Sequence, residues 1–279
     1  MAWTDVFSII DTILQIVVLA VSVYIVVWRM SDRGSSVVLG FFLYALICLL
    51  LCDLNWAVLI MLKPDFRVPF GVGEIADIGT FLLLATMLNE AFHEVKAKTG
   101  FVLFLSVVFS LAVIALWIGW AGEWIKSIVG GVAFGYFMCI VIIAMKKAAV
   151  LKPVEEVLIG LSAYALLILQ SSIFVLPQSM GKKVDILCYI FMGVSCVLLV
   201  VKCLTIIRKA VHERSLRSAR AALAFTSLCV VWIQNTMYSS EEPFYTIVDI
   251  LLSFMIVVLV MSVLLVDEAA RYEAETEAG

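Results

Sequence analysis

In CDLNWAVLIMLKPDFRVPFGVGEIADIGTFLLLATML (Cys52–Leu88), one apolar run closes in a polar, Trp-containing stretch. A loop carrying Lys63, Arg67 and two prolines follows, and a second apolar run opens on Glu74, Asp77 and Ile78. At about 20 apolar residues per crossing, both runs are long enough to span a bilayer. The segment therefore reads as a membrane hairpin. Working outward from it, further runs of the same kind give spans at Phe7–Trp28, Val37–Leu62, Val72–Phe92, Phe101–Trp120, Trp124–Met145, Val154–Leu176, Val184–Ile207, Ala219–Tyr238 and Phe244–Val266. Composition agrees, with 64% hydrophobic residues, 15% charged residues and a mean hydropathy of +1.14. The fold expected is an all-α integral membrane protein of nine helices. Its polytopic membrane domain covers residues 1–267, and a short cytoplasmic tail covers 268–279. The first run follows Asp5 and has spanning length, so it reads as a span and not as a signal peptide.

Of the 19 Lys and Arg, five (Lys63, Arg67, Lys126, Lys182, Lys183) fall on the side of the amino terminus and 14 on the other. Basic residues are retained in the cytoplasm, so the amino terminus is expected outside the cell membrane and the carboxy terminus inside. An odd number of spans requires the same. The eighth span is the least regular, because Gln234 and Asn235 interrupt it and Arg220 opens it.

The hairpin pattern recurs in LQSSIFVLPQSMGKKVDILCYIFMGVSCVLLV (Leu169–Val200) and in WIQNTMYSSEEPFYTIVDILLSFMIVVLVM (Trp232–Met261). Asp77, Asp185 and Asp249 are each followed by Ile, and Gln170 and Gln234 each stand 15 residues before the acid of their hairpin. In a fourth hairpin, LWIGWAGEWIKSIVGGVAFGYFM (Leu116–Met138), Ser127 takes the place of the acid. One leading helix followed by four hairpins is the simplest architecture.

The triplets Ala76-Asp77-Ile78, Val184-Asp185-Ile186 and Val248-Asp249-Ile250, with this layout, resemble the multispan input domains of bacterial diguanylate cyclases and sensor histidine kinases. The resemblance implies a sensory role. Because no output module follows in this sequence, it also implies that a cytoplasmic or membrane signalling partner supplies the output.

An intramembrane carboxylate costs about 2.5–3.5 kcal/mol at a helix centre on insertion scales and marks a functional position by default. Asp53 is the acid least explained by a helix end. Glu74, Asp77, Asp185 and Asp249 also suit the positive ends of helix dipoles, yet their recurrence on one side points to a shared polar cavity open to the outside. Gln170 and Gln234 extend that lining, or serve as interhelical glue. Tyr189 and Tyr245 stand four residues from Asp185 and Asp249, within reach of them. The candidate ligand-binding set is Asp53, Glu74, Asp77, Gln170, Asp185, Gln234 and Asp249.

Other patterns point to plainer roles. All seven cysteines fall within spans and read as small apolar side chains, while His93 and His212 lie at cytoplasmic helix ends, so metal-site spacing is lacking. Trp117, Trp120 and Trp124 suit an interfacial belt, and Gly131 with Gly135 suits close helix packing. Intramembrane protease patterns fail at Gly71–Glu74 and at Pro153–Glu156, and Lys202 lies too near a span end for a retinal Schiff base. No enzyme, cofactor or nucleic-acid partner is expected; the partners are the lipid bilayer, a signalling protein and a small ligand. A transporter or transporter subunit coupled to a proton or cation is the alternative, followed by a structural subunit of a membrane complex.

Overall fold

In lipid every backbone N–H and C=O must be paired within the segment, which leaves a chain of apolar runs the helix as its solution. The computed structural model describes residues 3–62, 71–96, 99–121, 124–172, 178–238 and 244–278. Among them are nine helices long and apolar enough to cross a membrane. They are α1 (Trp3–Arg33), α2 (Val37–Leu62), α3 (Val72–Ala91), α4 (Gly100–Ala121), α5 (Trp124–Ala148), α6 (Pro153–Ser172), α7 (Gln178–Glu213), α8 (Leu216–Tyr238) and α9 (Phe244–Ala278). Several helices run beyond the expected apolar runs, α1 to Arg33 and α7 from Gln178 among them, because helix formers continue past the apolar residues. Helix α7 reaches Glu213, and α9 carries the acidic tail to Ala278 as one continuous helix. Residues 173–176, expected to end the sixth span, lie outside the described residues, as do the loop residues Lys63 and Arg67. The side chains of Trp120 and Lys126 also lie outside them.

The faces of the bundle are named here for the ends of α1: the N face, where α1 begins, and the C face opposite. The pairs α2–α3, α4–α5, α6–α7 and α8–α9 pack as four hairpins, and α1 leans on α2 and α9. Helix α8 sits in the middle, against α5, α7 and α9. Of the polar residues that made the eighth span irregular, Gln234 is buried and Asn235 and Arg220 are half-buried. Thr226, Ser227, Gln234 and Thr236 are buried, and the Thr226 hydroxyl lies 3.0 Å from Ser262 Oγ and 3.3 Å from Cys203 Sγ. Such hydroxyl and thiol contacts hold membrane helices together where no hydrophobic force acts between them.

Glycine governs two close approaches. A Cβ on Gly131 would stand 2.6 Å from Ile114 Cγ1, and one on Gly135 would stand 2.9 Å from Ser110 Cβ, so α4 and α5 touch only because both positions lack side chains. Trp117 departs from the interfacial reading. Its ring lies 5.5 Å from that of Phe134 inside the bundle, while Trp124 is exposed.

Candidate functional site

Four carboxyl side chains from four helices meet near the N face. Asp11 comes from α1, Asp53 from α2, Asp77 from α3 and Asp249 from α9. Counted from the nearer ends of their helices, each lies within about 14 Å of the N face at ~1.5 Å of rise per residue. Asp249 accepts from Gln15 Nε2 at 2.9 Å, and its carboxyl lies beside that of Asp11. Asp53 lies close enough to Asp11 and Asp77 to feel their charges, and Cys52 lies beside Asp77. The acids thus form a chain from α9 through α1 and α2 to α3.

The cluster is buried at Asp11 and Asp249 and half-buried at Asp53 and Asp77. Asp11 is 5% exposed and Asp249 9%. Asp53 Oδ2 is enclosed with no hydrogen-bond partner among the described residues. The same holds for Ser253 Oγ, one helical turn from Asp249 on the same face of α9. Ser253 differs from most of the other buried hydroxyls. Ser22, Thr80, Ser106, Ser110, Thr226, Ser227, Thr236 and Ser262 all donate to the carbonyl four residues back, and Ser253 does not.

Sequence spacing brings α3 into this arrangement. Gly73 lets α3 approach α2 so closely that a Cβ there would stand 3.2 Å from Asn55 Nδ2. Glu74 caps its own helix, accepting from Gly71 N at 2.8 Å, as an acid in the first turn is expected to do. It still lies near enough to Cys52 to act on it electrostatically.

The other expected site residues do not join the cluster as far as the described contacts go. Asp185 is, like Asp77 and Asp249, the sixth residue of its apolar span, but α7 packs mainly on α6 and α8, and the neighbour on which Asp185 acts is Cys188 of its own helix. Gln170 is buried between α6 and α7, its Nε2 3.8 Å from Met192 Sδ. Gln234 is buried in α8. Tyr189 turns its ring onto Phe244, at 5.1 Å between centroids. Asp11 and Gln15 are the residues that sequence reasoning missed. Their spacing of four, which puts an acid and an amide on one helix face inside the first apolar run, was the available signal.

The C face is built differently. Asp267, its side chain 2% exposed, lies 3.5 Å from Arg29 Nε and 3.1 Å from Arg271 Nε. Arg271 also donates to the carbonyls of Arg33 and Gly34, at 2.8 Å for the latter, and so ties α9 to the turn after α1. Glu155 pairs with Lys202 and Glu156 with Lys146. The ion pairs seen among the described residues all lie on this face.

No protein-family model, curated protein or solved structure matches the chain. The chain is an all-α polytopic membrane protein, and its further reading rests on the geometry above.

Proposed function

We propose that this protein is a membrane sensor or regulator whose input is a proton or a small monovalent cation. The N-face carboxyls receive the input, and a movement of α9 read on the C face is the output. The observation that carries this reading is the meeting of Asp11, Asp53, Asp77 and Asp249 from four helices, two of them buried and two half-buried. Buried carboxyls packed together repel when charged, so each added proton or bound cation changes the force between helices. Neither of the two best-formed cavities is lined by these acids, which suits a proton or a bare ion better than an organic ligand, which needs a cavity of several hundred Å³.

Helix α9 supplies the route for output. It runs unbroken from Asp249 to Glu273, about 36 Å at ~1.5 Å per residue. A shift at one end is therefore felt at the other. The bias of basic residues toward the C face supports placing that face in the cytoplasm. The resemblance to multispan bacterial input domains fits the same reading, with a separate partner receiving the signal. Transport is the weaker reading, since interrupted helices are the usual mark of a transport site and α1, α2 and α9 each run as one continuous helix.

The test uses spin labels at the exposed positions Thr276 and Lys209 in protein reconstituted in nanodiscs, with the distance between them followed from acidic to neutral pH and with added sodium. The distance is expected to change in the wild type. It should stay fixed in Asp53→Asn and Asp249→Asn, which keep most hydrogen bonds and remove the charge. A wild-type distance indifferent to pH and to sodium overturns the reading. Proteoliposomes that accumulate protons or sodium would turn it toward transport.

A further inference from the structure

A cleft of about 390 Å³ opens on the C face between the ends of α3 and α5, the first turn of α8 and the extension of α9. Its lining includes Phe92, Lys147, Leu216, Arg217, Arg220 and Glu273. Lys147 Nζ donates to Phe92 O at 2.9 Å, and Arg220 Nε donates to Ala91 O at 2.8 Å. The outer guanidinium nitrogen of Arg220 lies 3.4 Å from Glu94. These two cations are held by main-chain carbonyls that were left over at the end of α3. Arg217 is exposed, and no ion pair is seen for it among the described residues.

The cleft already holds an anion, and that anion belongs to the chain. Glu273 Oε1 accepts from the backbone N–H of Leu216 at 3.2 Å, at the positive end of α8. This seat is weak for a carboxylate. Glu273 is exposed, and its partner is a single amide, whereas three cationic side chains surround the space beside it. A phosphate group presents more oxygens than a carboxylate. It could take the amide and accept paired N–H groups from a guanidinium at the same time. A second cavity, about 690 Å³ at the end of α7, is lined by Arg208, Lys209, His212 and Arg214, just before Leu216 in the chain.

We propose that this cleft binds a phosphate-bearing anion and that Glu273 is its built-in competitor, so that ligand and tail exclude each other. Displacement frees the part of α9 beyond Arg271, because Arg271 itself stays tied to the carbonyls of Arg33 and Gly34. The source of the phosphate is aqueous. The cleft lies at the end of α8, the helix whose span is most buried within the bundle, and not on the lipid-facing perimeter. This inference concerns the C face and does not depend on what the N-face carboxyls bind.

The experiment titrates inorganic pyrophosphate into the full chain in phosphatidylcholine nanodiscs. Heat is recorded together with amide exchange over Tyr272–Thr276. Saturable binding with faster exchange in that segment is expected for the wild type. Glu273→Gln should bind about tenfold more tightly, and Arg217→Ser, a change at an exposed position that leaves the fold intact, should bind at least about tenfold more weakly. In nanodiscs containing phosphatidylglycerol without pyrophosphate, an Arg217-dependent loosening of the tail would support the same site with a lipid headgroup as its source. Absence of any phosphate effect on Glu273→Gln in both nanodiscs overturns the proposal. So does equal binding by the wild type and Arg217→Ser.

Discussion

The two ends of the α1–α9 pair handle buried carboxylates in opposite ways. On the C face, Asp267 is enclosed but sits between Arg29 and Arg271, so the chain itself supplies the counter-charge. On the N face, Asp249 is enclosed to a similar degree, and the neighbours acting on it are two more carboxyls and an amide. An acid neutralised by the protein is a fixed joint. On the proposed reading, an acid surrounded by acids is neutralised by something that comes and goes, so the N face responds while the C face holds register.

That contrast fails first, and most visibly, at Asp267. Asp267→Ala leaves Arg29, whose side chain is 11% exposed, without its closest carboxylate, and should cost about 3–5 kcal/mol. Thermal unfolding in detergent would register this as a large drop in midpoint. Asp249→Asn, by contrast, should change stability by no more than about 1 kcal/mol, since the amide isostere keeps the local hydrogen bonds. Equal losses from the two variants would erase the distinction between the ends.

A packing change of intermediate size provides a scale that involves no charge. Gly135→Ala pushes a Cβ to 2.9 Å from Ser110 Cβ and should cost about 1–3 kcal/mol. Gly130→Ala, five residues away with no heavy atom within 4 Å of its Cβ, should instead gain up to about 1 kcal/mol from helix propensity. The smallest expected effect is at Ser253. Removing a hydroxyl with no partner should leave the protein as stable or more stable by up to about 1 kcal/mol. A drop in sodium response in Ser253→Ala, with unfolding unchanged, would sharpen the N-face reading by making that hydroxyl a cation ligand.

Much of this was legible in the chain. The helix boundaries follow from where apolar runs meet Gly, Pro and charged residues, and Asp53 declared itself by standing far from any helix end. Pairing into hairpins followed from loop length and the recurrence of acid-Ile openings. What hydropathy does not encode is the order in which helices pack laterally. Asp185 and Asp249 occupy the same register in their spans, yet only Asp249 faces α1, because α9 lies beside α1 and α7 does not. For the same reason Asp11 passed unnoticed. A lone acid five residues into the Phe7–Trp28 run gives no sign of a site until the helix beside it contributes another. The C-face lock was half visible, since Asp267 and Arg271 stand four apart, but Arg29 reaches them from the far end of the sequence.

Infrared difference spectroscopy after a pH step in reconstituted protein probes the N-face carboxyls themselves, through the carbonyl stretch of protonated carboxylic acids. The wild type should gain this band on acidification and lose it when sodium or base is added. Asp249→Asn should lack most of the change, and Asp267→Asn, if it folds, should retain it. A spectrum that is unchanged by the pH step, or identical in the wild type and Asp249→Asn, would contradict the assignment of input to the Asp11–Asp53–Asp77–Asp249 cluster.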